Sequence, residues 1–459
     1  MSKYISLALI VIAGTAAVFS YAYIPKTDLA YQRGLESNDL MAAEEKTASV
    51  VEESIPEIVD TREVINHVPL PPQVKAIYMT SCVAGTPDFR ARVVKLIEET
   101  EINSVVIDIK DYSGTISFNP EHEEWLPAWQ NARCGARDMK DFISYLHDLD
   151  IFVIGRVTVF QDPFYSMRFP HLAVKKLDGN TVWKDHKGLS FIDVAASEYW
   201  DYIIKLSVDS YNIGFDELNF DYVRYPSDGN MQDISFPHTA GSEWPNDKQA
   251  NLEAFFKYLN EDLDKEEKFS AYRHENTGRS SSTPWTSVDL FGMTTTNHDD
   301  LSIGQVIERA APYFDFIAPM VYPSHYPKNF LGLGNPNLYP YKIVNYAMSS
   351  GVERMTATTT SVKGFLHERV GTSTPAVYRK PVYTADKLRT WIQDFDYGGD
   401  YGPKEVRDQI QASYDAGVMS FMIWAPSNIY TKSALLGPSV FEVALSGRSA
   451  TSSVVNDEN

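Results

Sequence analysis

Beyond residue 73 the chain alternates between two kinds of hydrophobic pattern. Short runs rich in β-branched and aromatic residues are each followed by stretches in which apolar residues return at helical spacing. The runs at 74–79, 104–111, 151–160, 215–226, 287–295, 314–323, 388–395 and 418–426 predict eight strands. The stretches at 88–100, 139–150, 197–211, 251–263, 303–313 and 403–417 predict helices, the first with Asp88 as N-cap and the last stopped by Gly417. Strand–helix alternation implies parallel strands joined by crossover helices. Eight units predict an α/β fold closed into a (β/α)8 TIM barrel over residues 73–435. The polar stretch 264–286 and the region 324–387 are expected as insertions.

The N-terminal pattern is of another kind. No charged residue lies between Lys3 and Lys26, and the apolar run 4–25 is long enough to cross a bilayer as a helix. Ser20, Tyr21 and Ala22 would also serve as a cleavage site, so residues 1–26 are expected as a signal anchor or as a cleaved signal peptide. From 27 to 66 three basic residues, Arg33, Lys46 and Arg62, face ten acidic ones, with no hydrophobic period. Residues 27–72 are therefore expected as a flexible acidic linker. The basic flank stays in the cytoplasm, which places the barrel outside, tethered to the membrane through residues 4–25 or secreted. Residues 436–459, Ser-rich at the end, are expected as a flexible C-terminal tail.

Composition narrows the chemistry. With 44% hydrophobic residues among 459, the chain can bury a large core. Its 61 acidic against 41 basic residues give a net charge of −20, which excludes electrostatic attraction to nucleic acid. The 27 Tyr and 8 Trp suit stacking on sugar rings, although such residues also build cores. Two cysteines exclude a disulfide scaffold and a four-cysteine zinc site. Cys82 follows the first strand and Cys134 the second, and adjacent strands of a barrel bring such loops together. A disulfide closing 52 residues would contribute about 4 kcal/mol; two buried thiols are the other reading.

In a barrel, chemistry sits at the carboxyl ends of the strands, and here those ends are polar. The second strand ends in Asp108, Lys110 and Asp111, the first two sharing a parity that points both inward. The third carries Arg156 and Thr158, and the fourth Asn219 and Asp221, with Arg224 beyond. The fifth has Asp289, the sixth Tyr322 and then His325, the seventh Gln393 and Asp394, and the eighth Trp424. Such groups could be structural ion pairs, Asp108 with Lys110 and Asp221 with Arg156. Two carboxyls across a cleft are also the minimum equipment for cleaving a glycosidic bond, one donating a proton and the other attacking or activating water. The His298-Asp299-Asp300 run reads as a helix cap before Ile303 rather than a metal site. No GxSxG elbow and no Gly-rich phosphate loop after the first strand is present.

Several segments are familiar in order and content. Residues 214–226 (GFDELNFDYVRYP), 287–305, 314–327, 391–402 and 409–430 resemble a bacterial family of glycoside-hydrolase-like domains, catalogued without an assigned function and built on an amylase-like barrel. The resemblance spans roughly 73–432. It implies Asp221 as the fourth-strand nucleophile, Asp289 as the fifth-strand proton donor and Asp394 as the seventh-strand stabiliser. The Arg that amylases place two residues before the nucleophile is Asn219 here. The acid Glu of chitinase-type barrels falls at Val223, which excludes their substrate-assisted route. The expected function is hydrolysis of a polysaccharide or cell-envelope glycan, with no metal and no cofactor. Asp108, Lys110, Asp111, Arg156, Arg224, Tyr322, His325, Gln393 and Trp424 are expected to bind the carbohydrate. A non-catalytic carbohydrate-binding barrel is the alternative, and a metal-dependent deacetylase or lyase a third reading. Nothing in the sequence speaks to the oligomeric state.

Overall fold

The computed structural model describes residues 60–120 and 122–438. The apolar segment 4–25, the acidic stretch up to residue 59 and the tail from 439 onward lie outside the described residues. Among the described residues no helix is long and apolar enough to cross a membrane.

Eight parallel strands close into a barrel: β1 (Lys75–Met79), β2 (Ser104–Lys110), β3 (Phe152–Thr158), β4 (Glu217–Asp221), β5 (Trp285–Phe291), β6 (Phe316–Met320), β7 (Arg389–Gln393) and β8 (Ser420–Trp424). β8 returns to β1 through the pairs Phe421 with Lys75 and Ile423 with Ile77. Helices α1 (Pro87–Glu98), α2 (Met139–Asp148), α3 (Ser197–Asn212), α4 (Lys248–Leu263), α5 (Ile307–Ala310), α6 (Pro340–Thr356) and α7 (Pro403–Asp415) follow the first seven strands. After β8 comes a short turn of 3-10 helix, Lys432–Ala434.

Alternation along each strand divides the core into two layers. Val105 and Ile107 face the helices, while Val74, Ala76, Val106, Phe152, Ile154 and Met422 fill the barrel. Near the amino ends of the strands the interior also holds a fully buried ion pair. Arg389 Nη1 donates to both oxygens of Glu217, at 2.7 and 2.6 Å, and its guanidinium lies 3.5 Å from the centre of the Phe316 ring.

All eight predicted strands form. The helix expected at 303–313 is instead one turn, α5, followed by the 3-10 turn Ala311–Tyr313. Asp299 and Asp300 cap no helix; they accept the backbone N–H groups of Leu301 and Ser302 in the turn before it. The insertion 324–387 holds α6, a barrel helix whose Pro340 start and central Ser349-Ser350-Gly351 conceal the periodicity, and which packs against α7. The expected linker ends earlier than residue 72. Val64–Asn66 forms a strand parallel to Arg273–Glu275, inside the stretch expected to be loop. His67 continues this anchorage. Its Nδ1 lies 3.1 Å from Asp216, whose carboxylate also accepts the N–H groups of Val68 and Val153 and faces His147 at 3.1 Å.

Cys82, in the helical turn Ser81–Ala84, is joined by a disulfide to Cys134, with the Cα atoms 4.7 Å apart. Two glycines permit this approach: a Cβ on Gly85 would lie 2.2 Å from the Gly135 carbonyl oxygen.

Candidate active site

The carboxyl ends of the strands open onto a cavity of about 350 Å³. Inward parity brings Tyr78 of β1, Arg156 of β3, Asp221 of β4, Asp289 of β5, Met320 of β6, Trp391 of β7 and Trp424 of β8 to its floor and walls. Loops add Tyr222, Arg224, Leu301, Tyr322 and His325.

Arg156 organises the floor. Its Nη1 donates to Asp108 Oδ1 at 2.7 Å, while Nε and Nη2 donate to Asp221 Oδ2 at 3.1 and 2.5 Å. Asp289 Oδ2 stands 4.0 Å from Nε. Register explains the grouping: Asp108 pairs with Arg156, and Arg156 with Asn219, so neighbouring inward side chains converge at one level. Tyr78 Oη donates to the second Asp108 oxygen at 2.6 Å. Asp221 Oδ1 accepts the N–H of Tyr222 at 2.5 Å, an arrangement that holds Tyr222 at φ +52°.

Asp289 differs from Asp221 in its surroundings. It is 1% exposed, and its Oδ1 accepts Asn219 Nδ2 at 2.9 Å and Trp391 Nε1 at 2.8 Å. Burial, and then the negative charge of Asp221, raise its pKa well above the ordinary carboxyl value, against the pull of Arg156, Asn219 and Trp391. With Oδ1 committed to two N–H donors, the proton belongs on Oδ2. Burial raises Asp108 as well, with Arg156 and Tyr78 opposing. The floor therefore carries one fixed positive charge among three carboxyls, two of which, Asp289 and Asp108, burial holds above the ordinary carboxyl range.

Tyr322, Trp424 and Phe395 form an aromatic wall, with the Tyr322 and Trp424 rings 5.1 Å apart and those of Phe395 and Trp424 5.0 Å apart. Among the described residues no group of three or more His, Cys, Asp or Glu could hold a metal ion.

Residues 76–430 match the sequence family described as "Putative glycosyl hydrolase domain". The chain belongs to this family. No match was found among curated proteins. Among solved structures, a hypothetical protein from Ruminiclostridium thermocellum is 29% identical over 43% of this chain and 95% of its own, with a TM-score of 0.35. The glycoside hydrolase domain of PgaB (BpsB) from Bordetella bronchiseptica is 11% identical over 79% of this chain and 98% of that one, with a TM-score of 0.50. Alpha-L-fucosidase isoenzyme 2 from Paenibacillus thiaminolyticus is 11% identical over 81% of this chain and 49% of its own, with a TM-score of 0.48. The PgaB likeness speaks for the barrel fold. The family match makes this a glycosyl-hydrolase-like domain.

Of the residues expected at the site of this glycosyl-hydrolase-like barrel, Arg156, Asp221, Arg224, Asp289, Tyr322, His325 and Trp424 line the cavity, and Asp108 is bonded to its floor. Four others lie elsewhere. A bulge between Asp108 and Lys110 sets Lys110 opposite Val157, which faces the helices. Lys110 is consequently paired not with Asp108 but with Asp162, at 2.9 Å, in a fully buried ion pair beside Tyr199. Asp111 accepts the N–H and hydroxyl of Ser113 in a tight turn. Gln393 is closed off by Ser324, Gln409 and Phe395. Asp394 has the opposite parity to Trp391, turns outward, and accepts the Thr431 N–H and hydroxyl, both at 2.7 Å. Among the cavity residues that went unread in the sequence, Tyr78 and Trp391 bond directly to the aspartates of the floor. Their signal was inward parity, in step with Val74 and Ala76 on β1 and with Arg389 and Gln393 on β7.

Proposed function

We propose that this domain hydrolyses glycosidic bonds of a polysaccharide or envelope glycan by paired-carboxylate chemistry, with Asp289 donating the proton and Asp221 as nucleophile or base. The observation that carries the proposal is the unequal treatment of two neighbouring carboxyls. Asp221 is held against the Arg156 guanidinium by two hydrogen bonds, the geometry of an ion pair. Asp289 is buried beside the charge of Asp221, which together favour its acid form, while its N–H donors occupy Oδ1 and leave Oδ2 for the proton. Both approach Arg156 Nε, at 3.1 and 4.0 Å, so their Oδ2 atoms lie no more than about 7 Å apart. That bound includes the separation of about 5–5.5 Å used for retention and only the short end of the inverting range. In the sequence of steps proposed, Asp289 Oδ2 protonates the leaving glycosidic oxygen while Asp221 attacks the anomeric carbon or takes a proton from the attacking water. Asp394 has no part in it. The aromatic wall supplies stacking surface for sugar faces. We further propose that residues 4–25 place the barrel outside the cytoplasm, as an anchor or as a cleaved signal.

The second reading is a barrel that binds glycans without cleaving them. It is favoured by the engagement of both Asp221 oxygens, one by Arg156 and the other by the Tyr222 N–H. Turnover of a glycan library by the wild-type chain separates the two. For a hydrolase, Asp221→Asn and Asp289→Asn should each lower turnover on the order of 10³-fold while glycan binding persists. Binding without turnover by the wild type would establish the second reading, and near wild-type turnover by Asp221→Asn would end the assignment.

A further inference from the structure

Arg224 stands apart from the other charged groups of the cavity. Arg156 is surrounded by aspartates, whereas Arg224 has no carboxylate within 4 Å among the described residues, in a chain with 61 acidic side chains. Among the described residues its hydrogen bonds are to neutral groups: Nη1 donates to the Tyr225 carbonyl and the Ser227 hydroxyl, each at 3.1 Å. Its guanidinium lies 5.0 Å from the centre of the Tyr222 ring, a stacked placement that orients the fork while leaving Nε and Nη2 uncommitted. The nearby acids are otherwise engaged. Asp228 faces His186 at 3.6 Å, and Asp185 accepts the N–H groups of Lys187 and Leu189. At the same cavity mouth stands His325, whose imidazole is held below its ordinary pKa by its surroundings and then by the charge of Lys187. Lys187 is itself exposed and makes no ion pair among the described residues. A protein of net charge −20 thus presents an arginine with no carboxylate partner among the described residues in the lining of its candidate active site, with the charge of Lys187 felt at His325.

We propose that the glycan taken by this site is anionic, with a carboxylate or ester oxyanion on a sugar at the cavity mouth received by the free donors of Arg224 and attracted by Lys187. The proposal rests on the glycosidase reading of the cavity and specifies its substrate class. An arginine fork matches both planar carboxylates and tetrahedral sulfates or phosphates, so uronic acids and ester-substituted sugars share the recognising chemistry. The acidic floor, deeper in the barrel, is reserved for the glycosidic bond, and the cationic mouth aligns the chain against it. Neutral glycans lack the group that would complete Arg224.

The test is glycan binding by the full-length chain carrying Asp289→Asn, which keeps the acceptor used by Asn219 and Trp391 while removing the transferable proton. The probes are neutral glucan oligomers, polyuronate oligomers, and sulfated or phosphorylated oligomers, displayed together on an array at low and high ionic strength. Retention confined to anionic members and weakened by salt is expected, with uronates and esters told apart by which series is held. Adding Arg224→Gln should weaken that retention roughly 10- to 100-fold, and Arg224→Lys should recover part of it. Thermal unfolding of each variant separates loss of binding from loss of fold. Retention of neutral glycans that Arg224→Gln leaves unchanged would overturn the anionic assignment and leave the glycosidase reading standing. An array on which the protein holds no glycan of any class, with a correctly folded sample, would remove both.

Discussion

Replacing Arg156 by methionine would remove the one cation of the cavity floor while keeping the volume of its stem. The side chain is 14% exposed, and the partners it leaves, Asp108 and Asp221, are 3% and 7% exposed. Three charge-assisted hydrogen bonds vanish, and two carboxylates are stranded beside Asp289. Breaking a buried pair by deleting one partner costs about 3–5 kcal/mol, most of it the penalty of the uncompensated charge. For a barrel of this size that corresponds to roughly 4–6 °C in Tm. The loss should depend on pH. Burial already raises the Asp108 carboxyl above its unfolded value of about 3.9, and without the opposing charge of Arg156 it rises further. Carboxyls raised in this way support the fold fully below the unfolded value and withdraw that support as pH climbs through the folded one. The deficit of Arg156→Met relative to wild type should therefore be small near pH 4 and largest near pH 8. Denaturant titrations of the two proteins at both pH values measure it, and Arg156→Met combined with Asp221→Asn should recover part of the loss at the higher pH. A deficit below about 1 kcal/mol, or one equal at both pH values, would refute the reasoning.

Two further outcomes are expected. Trp391→Phe removes a donor that favours the ionised form of Asp289, so the Asp289 pKa rises further and, with Asp289 as the proposed proton donor, the basic limb of the pH–rate profile moves to higher pH; an unmoved limb would detach Asp289 from the acid role. His274, at the base of the barrel against His67, is held down to about 3, by burial first and then by His67. Its unfolded imidazole takes a proton near pH 6.5 while the folded one stays neutral. Its contribution to stability is thus intact above about pH 6.5 and falls as pH drops towards 3, a loss on the order of 2 kcal/mol after discounting for partial exposure. His274→Gln should flatten that slope between pH 7 and 5 in urea unfolding, and an unchanged slope would place the acid sensitivity elsewhere.

Hydrophobic patterning by itself determined the eight strands, most of the helices and the closure into a barrel, because burial on a sheet or against a helix imposes a period that a linear chain displays openly. Strand parity likewise carried Asp221 and Asp289 to the interior, since on β4 and β5 alternation runs unbroken to the carboxyl end. Where alternation breaks, only the tertiary structure decides. The bulge after Asp108 turned Lys110 to the helix layer, where Asp162, fifty residues away in sequence, neutralises it. Asp394 passed beyond the end of β7, where Thr431 rather than strand geometry sets its direction. The helix α6 has a weak pattern of its own and is held by packing against α7. The strand Val64–Asn66 is too short to announce itself, and pairs in parallel with Arg273–Glu275, far away in sequence. Above all, the unequal environment of two aspartates belongs to no segment. It arises from a guanidinium on β3, an amide on β4 and an indole on β7, which converge only when the barrel closes.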